Sequence, residues 1–263
     1  MDLELKGKVA IVGGGSSGLG RACAEVLAEE GAKVAICSRS KADLEKTAAE
    51  IRSATGADVL AFPGDLDKTE TIKTLVTATV NHFGRLDILV NNSGSPPISF
   101  AHEATDEMLE NAVQRSLFYF ARMSREAIPH LKAGGGGRII NILASTVYQP
   151  LLKMALSGVT RIGVTAFAKS LADELGKYGI LVNNVCPGSI LTKRMLLNIT
   201  ARAEEMGITL EEALAKRAAE IPVGRLGESR DVAYTVAFLA SGKSGYITGS
   251  TIRVDGGVVR SIL

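Results

Sequence analysis

Short apolar runs rich in valine and isoleucine recur along the chain, with segments of helical spacing between them. The runs are Val9–Val12, Lys33–Cys37, Val59–Phe62, Ile88–Val90, Arg138–Leu143, Leu181–Val185 and Thr251–Val254. Their interiors are apolar rather than alternating, which is typical of strands buried on both faces of a parallel sheet. The pattern therefore predicts a sheet of about seven parallel strands.

Helical patterns fill the intervals between these strands. The first three predicted helices are Arg21–Glu30, which ends at Gly31, then Lys41–Ala54, and Thr69–Phe83, which ends at Gly84. Strict alternation of strand and helix implies right-handed crossovers, with helices on both faces of one sheet. We expect a doubly wound α/β fold, and a single domain over residues 1–263 because no linker or shift in composition divides the chain.

Two segments depart from the alternation. The four-glycine loop Gly134–Gly137 is predicted to be a mobile turn that enters the fifth strand. Thr192–Pro222 is a long insertion with helical composition, and insertions of this kind after a strand often cover a substrate. We expect a helical lid at about residues 192–222. Its apolar residues favour an apolar or bulky substrate; they are Met195, Leu196, Leu197, Ile199, Met206 and Ile208.

Charge and cysteine content narrow the classes of partner. The chain has 30 basic and 28 acidic residues, a balance that gives no reason to expect nucleic acid or a membrane. The N-terminus lacks the apolar core of a signal peptide, and no apolar run is long enough to span a bilayer. Cys23, Cys37 and Cys186 show no disulfide or metal-ligand spacing. We expect a cytoplasmic protein with buried thiols and no metal.

The first strand leads into a glycine-rich turn, Gly13–Gly20, which opens a helix. Glycines allow a tight turn and a close approach to a pyrophosphate, and the amides of the helix N-terminus face that anion. In this setting the turn predicts a dinucleotide site. The alternative is a glycine-rich turn that binds nothing.

The end of the second strand bears on which dinucleotide is bound. Ser38 and Arg39 stand where an NAD site would place an acidic residue against the ribose 2′-hydroxyl. A guanidinium can bind a 2′-phosphate with paired hydrogen bonds, whereas a carboxylate would repel it. The sequence therefore favours NADP(H), with Arg39 as a solvated surface residue as the alternative.

Further motifs resemble those of the short-chain dehydrogenase/reductase family. Asn91–Gly94 resembles its Asn-Asn-Ala-Gly signature, Pro187-Gly188 its Pro-Gly motif, Asp65-Leu66 its adenine-contacting pair and Val254–Gly257 its C-terminal ending. The resemblance spans residues from about 5 to 257. Gly13 departs from it, because the family usually has threonine there.

The resemblance implies a Rossmann-like domain, a nicotinamide cofactor and a homotetramer. Helices at about Glu107–His130 and Leu156–Lys177 are expected to pair in the dimer. The cofactor residues that it implies are Gly14, Ser17, Gly18, Leu19, Arg39, Asp65, Leu66, Asn91, Ser93, Gly94, Pro187, Gly188, Ile190 and Thr192.

Members of this family transfer hydride to or from a carbonyl carbon. A tyrosine exchanges the proton, and a lysine one helical turn later lowers its pKa and binds the nicotinamide ribose. Alignment on Gly163 and residues 168–172 places Ser157 and Arg161 at those positions. We expect Arg161 to hold the ribose in the lysine's stead.

Two further catalytic positions also differ. Ala144 aligns with the serine that orients the carbonyl, with Ser145 beside it, and Ser116 aligns with the asparagine of the proton relay. We expect Ser145 to take over carbonyl orientation. A serine hydroxyl is a poor acid without a base beside it, and arginine does not give up its proton at ordinary pH. The lost acid–base contribution is worth roughly 10²–10⁴ in rate.

Two classes of function follow. The first is an atypical NADP(H)-dependent oxidoreductase that acts on a small carbonyl or alcohol substrate, through Ser157 and Arg161 or through a relocated acid such as Tyr148, near Lys153. The second is a non-catalytic NADP(H)-binding protein that acts as a sensor or oligomeric partner. Tyr119, His102 and His130 are interpreted as structural or surface residues.

Overall fold

The computed structural model describes residues 1–262 and contains one seven-stranded parallel sheet of order β3-β2-β1-β4-β5-β6-β7. The prediction of a doubly wound α/β fold is confirmed. The strands are β1 Val9–Gly13, β2 Lys33–Ser38, β3 Val59–Pro63, β4 Ile88–Asn91, β5 Gly137–Ile142, β6 Ile180–Pro187 and β7 Thr251–Val254.

Helices cover both faces of the sheet, so the core consists of two apolar layers. Helices α1, α2 and α9 contribute to one layer, and α3, α5 and α6 contribute to the other. A π-helical turn, Gln114–Phe118, joins α4 to α5. The helices are α1 Gly18–Glu29, α2 Lys41–Thr55, α3 Thr69–Phe83, α4 Asp106–Val113, α5 Tyr119–Ala133, α6 Ala155–Leu175, α7 Lys193–Met206, α8 Leu210–Ala219 and α9 Ser229–Ala240.

The helix ends follow local chemistry. Helix α1 begins at Gly18, three residues before the predicted start, because the glycine-rich turn feeds directly into its first turn. The Ser40 side chain accepts a hydrogen bond from the Asp43 amide at 3.3 Å and so caps α2. Gly56 and Gly84 close α2 and α3 with φ of 69° and 82°, a conformation that favours glycine.

The four-glycine loop is a closely packed turn. Gly134 caps the end of α5, and Gly137 is already the first residue of β5, one residue before the predicted start. A Cβ on Gly136 would lie 2.8 Å from the Gly179 carbonyl oxygen, and one on Gly137 would lie 2.7 Å from that of Asp87. Glycine is needed here because two backbones approach closely. The mobility of the loop stays a prediction.

The chain order reverses between β1 and β4, which lie side by side at the centre of the sheet. In open α/β sheets this reversal opens a crevice at the carboxyl ends of the strands, where ligands bind. The insertion at residues 192–222 forms α7 and α8, and Thr209 and Glu212 make a reciprocal capping box at the start of α8. Within residues 1–262, no helix is both long and apolar enough to cross a membrane.

Candidate active site

The turn between β1 and α1 has the backbone shape that an anion site requires. Gly14 and Gly18 adopt φ of 63° and 55°, which favours glycine. A Cβ on Gly14 would lie 2.7 Å from Asn92 Nδ2, and one on Gly20 would lie 2.3 Å from the Gly14 carbonyl oxygen. In the described chain the Ser17 side chain does not cap α1, and the first turn carries no acidic residue. The helix N-terminus can therefore receive a phosphate group.

A groove of about 590 Å³ runs along the carboxyl ends of β1, β2 and β4. It brings together many of the predicted cofactor residues: Gly14, Ser17, Gly18, Leu19, Ser38, Arg39, Asp65, Leu66, Ser93, Gly94 and Thr192. Arg39 is exposed at this groove. These residues sit far apart in the sequence, and the sheet order makes them neighbours.

A second cavity, which we call the substrate pocket, has a volume of about 580 Å³ and lies beneath α7 and α8. Its lining includes Ser145 and Ser157 together with the predicted nicotinamide residues Pro187, Gly188 and Ile190. The groove and the substrate pocket meet, because they share Leu19, Ser95, Thr192 and Arg194. A dinucleotide in the groove could thus present one end to a molecule in the pocket.

Ser157 lies on α6 and is almost fully buried at the wall of this pocket. Its Oγ and the Thr146 Oγ1 are 3.2 Å apart and form a hydrogen bond that either hydroxyl can donate. Arg161 follows one helical turn later, on the same face of α6. The predicted pairing of the two residues on one helix face is therefore present, although neither group is an acid at neutral pH.

Arg161 is a buried cation without a carboxylate partner. It is 3% exposed, and no carboxylate in residues 1–262 lies within ion-pair distance of it. Nη2 donates to Ser93 Oγ at 3.4 Å, Nη1 to the Ile142 carbonyl at 3.5 Å, and Cζ lies 5.1 Å from the centre of the Phe120 ring. Burial lowers the pKa of this guanidinium to about 10.

Two of these contacts are long, and Arg161 Nε has no hydrogen-bond partner among the described residues. A buried donor without a partner is costly, so such groups usually point to a missing ligand or water. Ser93, the groove residue that Arg161 reaches, belongs to the segment predicted to bind the cofactor. The position fits a group that contributes acceptor oxygens, such as a ribose.

Comparison with known proteins agrees with this geometry. A family model described as enoyl-(acyl carrier protein) reductase matches residues 14–259. A short-chain dehydrogenase/reductase of Aspergillus oryzae is 33% identical, with 97% of this chain and 96% of the relative covered. The chain belongs to the short-chain dehydrogenase/reductase family. It is accordingly related to oxidoreductases along almost its whole length.

Two further proteins illustrate the similarity. The 3-oxoacyl-[acyl-carrier-protein] reductase of Vibrio cholerae is 34% identical, with 97% of this chain and 99% of the relative covered. The crystal structure of L-sorbose reductase from Gluconobacter frateurii, in complex with NADPH and L-sorbose, superposes with a TM-score of 0.96 and 32% identity over 100% of both chains.

Asn91, from the family's Asn-Asn motif, turns into the sheet rather than into the groove. Its Nδ2 donates to Asn141 Oδ1 at 2.9 Å, and Asn141 in turn donates to Asn184 Oδ1 at 2.9 Å. These amides form a buried ladder across β4, β5 and β6. The next residue, Asn92, lines the groove instead and donates from Nδ2 to the Gly13 carbonyl at 3.1 Å. The sequence analysis did not identify this role of Asn92. Successive side chains of a strand point to opposite faces, so alternation could have indicated that Asn91 and Asn92 face different ways.

Ser116, the predicted relay position, lies in the π-helical turn and is fully buried. Its Oγ has no hydrogen-bond partner in the part of the chain that the structure describes. The residue lines neither the groove nor the substrate pocket. A π turn inserts one extra residue into a helix and often accompanies a functional site. Its role as a relay residue stays a prediction.

The described lining of the substrate pocket includes Ser157 but not Tyr148. The Tyr148 hydroxyl donates to the Thr251 carbonyl oxygen on β7, and Arg253 stacks 5.0 Å from its ring centre. Burial raises the pKa of this phenol. Lys153 Nζ lies 4.8 Å from the centre of the Phe100 ring. These contacts favour Tyr148 as a structural tyrosine over a relocated acid.

Three other groups at the site escaped the sequence reasoning. The Tyr119 ring reaches the groove from α5. Arg115 pairs with Asp67 at 3.0 Å, and both residues line the groove. Arg217 on α8 lines the substrate pocket and donates to Ser189 Oγ from Nε at 3.1 Å and from Nη2 at 2.8 Å. No local motif marks them, because their roles arise from contacts between distant segments.

Proposed function

We propose that this protein is an NADP(H)-dependent oxidoreductase that interconverts a small-molecule carbonyl and its alcohol through an atypical site. In this proposal Ser157 and Arg161 replace the tyrosine and lysine of the family. The observation that carries it is the junction of groove and pocket, where Ser157 borders the pocket and buried Arg161 reaches Ser93 in the groove. The similarity to L-sorbose reductase in complex with NADPH supports the same chemistry.

The residues present fit a bound NADP(H). Gly14 and Gly18 with the start of α1 would hold the pyrophosphate, Asp65 and Leu66 the adenine, and Arg39 the 2′-phosphate. Arg161 would hold the nicotinamide ribose, alongside Ser93. When bound, the nicotinamide supplies or accepts the hydride. The remaining proposed cofactor contacts come from Ser17, Leu19, Ser38, Gly94, Pro187, Gly188, Ile190 and Thr192, and from the backbone of Asn91, whose side chain points into the sheet.

Ser157 and Ser145 would bind the carbonyl oxygen as hydrogen-bond donors. The Ser157 hydroxyl is free to donate into the pocket when the Thr146 hydroxyl donates to it, an orientation that the 3.2 Å contact allows. Arg161 would stabilise the developing alkoxide by its charge, in a site where low polarity strengthens that effect. Ser116 stays the proposed counterpart of the family's relay asparagine.

The proton must then come from elsewhere. Among residues 1–262, the lining of the substrate pocket contains no tyrosine, lysine or histidine. We propose that water entering the pocket protonates the alkoxide. Carbonyl reduction by this protein should consequently be slower than reduction by family members that have the catalytic tyrosine. The absence of these three residue types from the described lining also favours the second candidate, a non-catalytic NADP(H)-binding protein that serves as a sensor or oligomeric partner.

One set of variants tests the proposal. We expect wild-type protein to oxidise NADPH slowly with activated ketones or quinones, and Arg161→Ala and Ser157→Ala each to lower kcat/KM by about tenfold or more. Ser157→Tyr with Arg161→Lys, Ala144→Ser and Ser116→Asn should raise the rate by roughly 10²–10⁴-fold, the size of an acid–base contribution.

The outcomes separate the two candidates. Tight NADPH binding with no turnover by wild type, and turnover in the restored variant, would establish the non-catalytic protein. Fast wild-type turnover that is indifferent to Ser157→Ala and Arg161→Ala would overturn the proposed roles of both residues.

Two features of the whole molecule belong to the same proposal. We propose that α7 and α8 act as a lid over the substrate, since Met195 and Arg217 from these helices line the substrate pocket. We also propose a homotetramer, in which α6 contributes to the contact between subunits. In support, α6 leaves Val159 59% exposed and Ile162 53% exposed one helical turn apart, so the two form a contiguous apolar surface of the kind found at contacts between proteins.

A further inference from the structure

A third cavity, which we call the lid pocket, lies between α7, α8 and the segment at residues 151–154. It has a volume of about 430 Å³, within the range of small-molecule sites. The lid pocket continues the substrate pocket, because both are lined by Leu151, Met154, Met195, Asn198, Arg217 and Glu220. A molecule longer than the substrate pocket can therefore extend into the lid pocket.

The walls of the lid pocket are mainly apolar. They consist of Leu151, Leu152, Met154, Met195, Ile199, Met206, Ile208 and Ala213. Leu152 is 82% exposed and Met206 52% exposed, so the chain leaves costly apolar surface uncovered at this place. Methionine adapts to irregular apolar partners because its side chain is unbranched and flexible. These walls suit a flexible hydrocarbon segment.

Cationic groups border the same cavity. Arg217 is already engaged, since it pairs with Glu220 and donates to Ser189. Arg202 and Lys216 also line the lid pocket, and neither forms an ion pair within 4 Å in residues 1–262. The Glu212 carboxylate, one turn before Lys216, accepts from the Thr209 amide at 2.8 Å and attracts Lys216 only at a longer range than an ion pair. Two cations at the lid pocket are thus available to an anion.

We propose that the lid pocket holds the apolar tail of an elongated substrate whose far end carries a carboxylate or another anionic group. This inference rests on the proposed function, because it places the reacting carbonyl beside Ser157. The tail would then lie against the methionine and isoleucine side chains, and the anionic end would meet Arg202 and Lys216. The substrate class is an amphiphilic, anionic carbonyl compound rather than a small neutral ketone.

Binding of unreactive probes tests the inference without any need for turnover. We expect calorimetry, at probe concentrations below micelle formation, to show saturable binding of decanoate that is at least about tenfold tighter than that of decyltrimethylammonium. Arg202→Glu with Lys216→Glu should weaken decanoate binding by about tenfold or more and leave decanol binding within about twofold. Lys46→Glu, an exposed charge reversal on α2, is the matched control and should change neither.

Filling the cavity supplies the second test. Ala213→Trp should weaken both decanoate and decanol, and Met206→Glu, at an exposed position, should do the same if the tryptophan variant fails to fold. Equal binding of the anionic and cationic probes, or full decanoate affinity in both pocket variants, would overturn the inference. A change of oligomeric state in these variants, without any probe binding by wild type, would assign the apolar walls to a second copy of the chain.

Steady-state kinetics distinguish a failure of the lid pocket proposal from a failure of the proposed function. In the lid pocket variants, the ratio of kcat/KM for a long ketone with a terminal carboxylate to kcat/KM for a short ketone should fall about tenfold, whereas Lys46→Glu should leave that ratio unchanged. Probe binding without any hydride transfer would contradict the proposed function and leave the lid pocket as a binding site. Hydride transfer with no preference for anionic, elongated ketones would contradict the lid pocket alone.

Discussion

The hydroxyl of Tyr119 occupies the space that a side chain on Gly13 would need. A Cβ on Gly13 would lie 2.1 Å from that oxygen and 2.9 Å from the Asn92 carbonyl oxygen. Tyr119 is 1% exposed and donates to the same carbonyl at 3.4 Å. Gly13 is also the position at which this chain departs from the threonine usual in the family. Glycine at position 13 therefore makes room for the buried phenol of Tyr119.

We expect Gly13→Ala to lower the free energy of unfolding by about 1–3 kcal/mol, because it overpacks a filled site. In a Tyr119→Phe background the same change should cost less, since the phenol oxygen, its nearest clash, is gone. Urea unfolding of the four proteins in this double-mutant cycle measures the coupling. Equal costs of Gly13→Ala in both backgrounds would show that the two residues are independent.

Arg39 should decide cofactor choice. Because the guanidinium at the groove attracts a 2′-phosphate, NADPH should bind at least about tenfold more tightly than NADH, or about 1.4 kcal/mol. Arg39→Asp should reverse the preference, and Lys46→Asp, at an exposed position on α2 that does not line the groove, serves as the control. Titration of nicotinamide fluorescence measures both affinities. Equal affinities in the wild-type protein would contradict the assignment of Arg39.

The buried charge of Arg161 should lower the free energy of unfolding. Its folded-state pKa of about 10 lies below the ordinary 12.5, so the unfolded chain holds this proton more tightly. The resulting penalty is full below about pH 10 and is relieved as the pH rises from there toward 12.5. Arg161→Met should thus raise the free energy of unfolding at neutral pH by about 1–3 kcal/mol.

Arg161→Met should also lose the proposed NADP(H)-dependent activity. Its gain in free energy of unfolding over the wild type should shrink above about pH 10. NADPH should stabilise Arg161→Met less than the wild type, because no cation remains beside the ribose position. Arg161→Lys retains the charge and should behave like the wild type in cofactor-induced stabilisation. Urea unfolding across the alkaline range, with and without NADPH, measures both effects. An unchanged or lowered stability of Arg161→Met would contradict the burial argument.

The sequence predicted the fold well because the two signals that define it are local. Buried apolar runs marked every strand to within a few residues, and glycines such as Gly56 and Gly84 marked helix ends. The places of Arg39 and Ser145 beside the cavities were also predictable, because the topology sends the carboxyl ends of all strands to one edge of the sheet. The orientations of Asn91 and Asn92 were not predictable. Side chains alternate along a strand, so a shift of one residue decides which of the two faces the groove.

What escaped the sequence depends on contacts between distant segments. Tyr119 was interpreted as structural, and nothing beside it in the sequence indicates that its hydroxyl reaches Gly13. The π-helical turn around Ser116 shifts the helical register in a way that periodicity does not reveal. The sequence predicted an apolar helical lid at residues 192–222, but only the tertiary structure shows that Leu151, Leu152 and Met154 complete a cavity with it.

Tyr148 provides a test of where the proton comes from. Its hydroxyl already donates to the Thr251 carbonyl, and its ring packs against Arg253. We expect Tyr148→Phe to leave kcat/KM within about twofold of wild type and to lower stability by about 1 kcal/mol, the worth of one hydrogen bond. Steady-state kinetics and urea unfolding measure the two effects. A loss of about 10²-fold or more in kcat, without a change in cofactor affinity, would make Tyr148 the relocated acid.

The exposed apolar side chains of α6 bear on the number of subunits that associate. Along α6 the chain exposes Val159, Ile162 and, at 36%, Phe167, and it alternates them with small residues that allow another helix to approach closely. A charged residue buried there without a partner would cost several kcal/mol, so Ile162→Asp should convert a tetramer into smaller species. Val223→Asp, at a residue 63% exposed after α8, is the matched control. Light scattering at micromolar concentration measures the mass of each protein. A monomeric wild type, or a tetramer that survives Ile162→Asp together with Phe167→Asp, would refute an interface on α6.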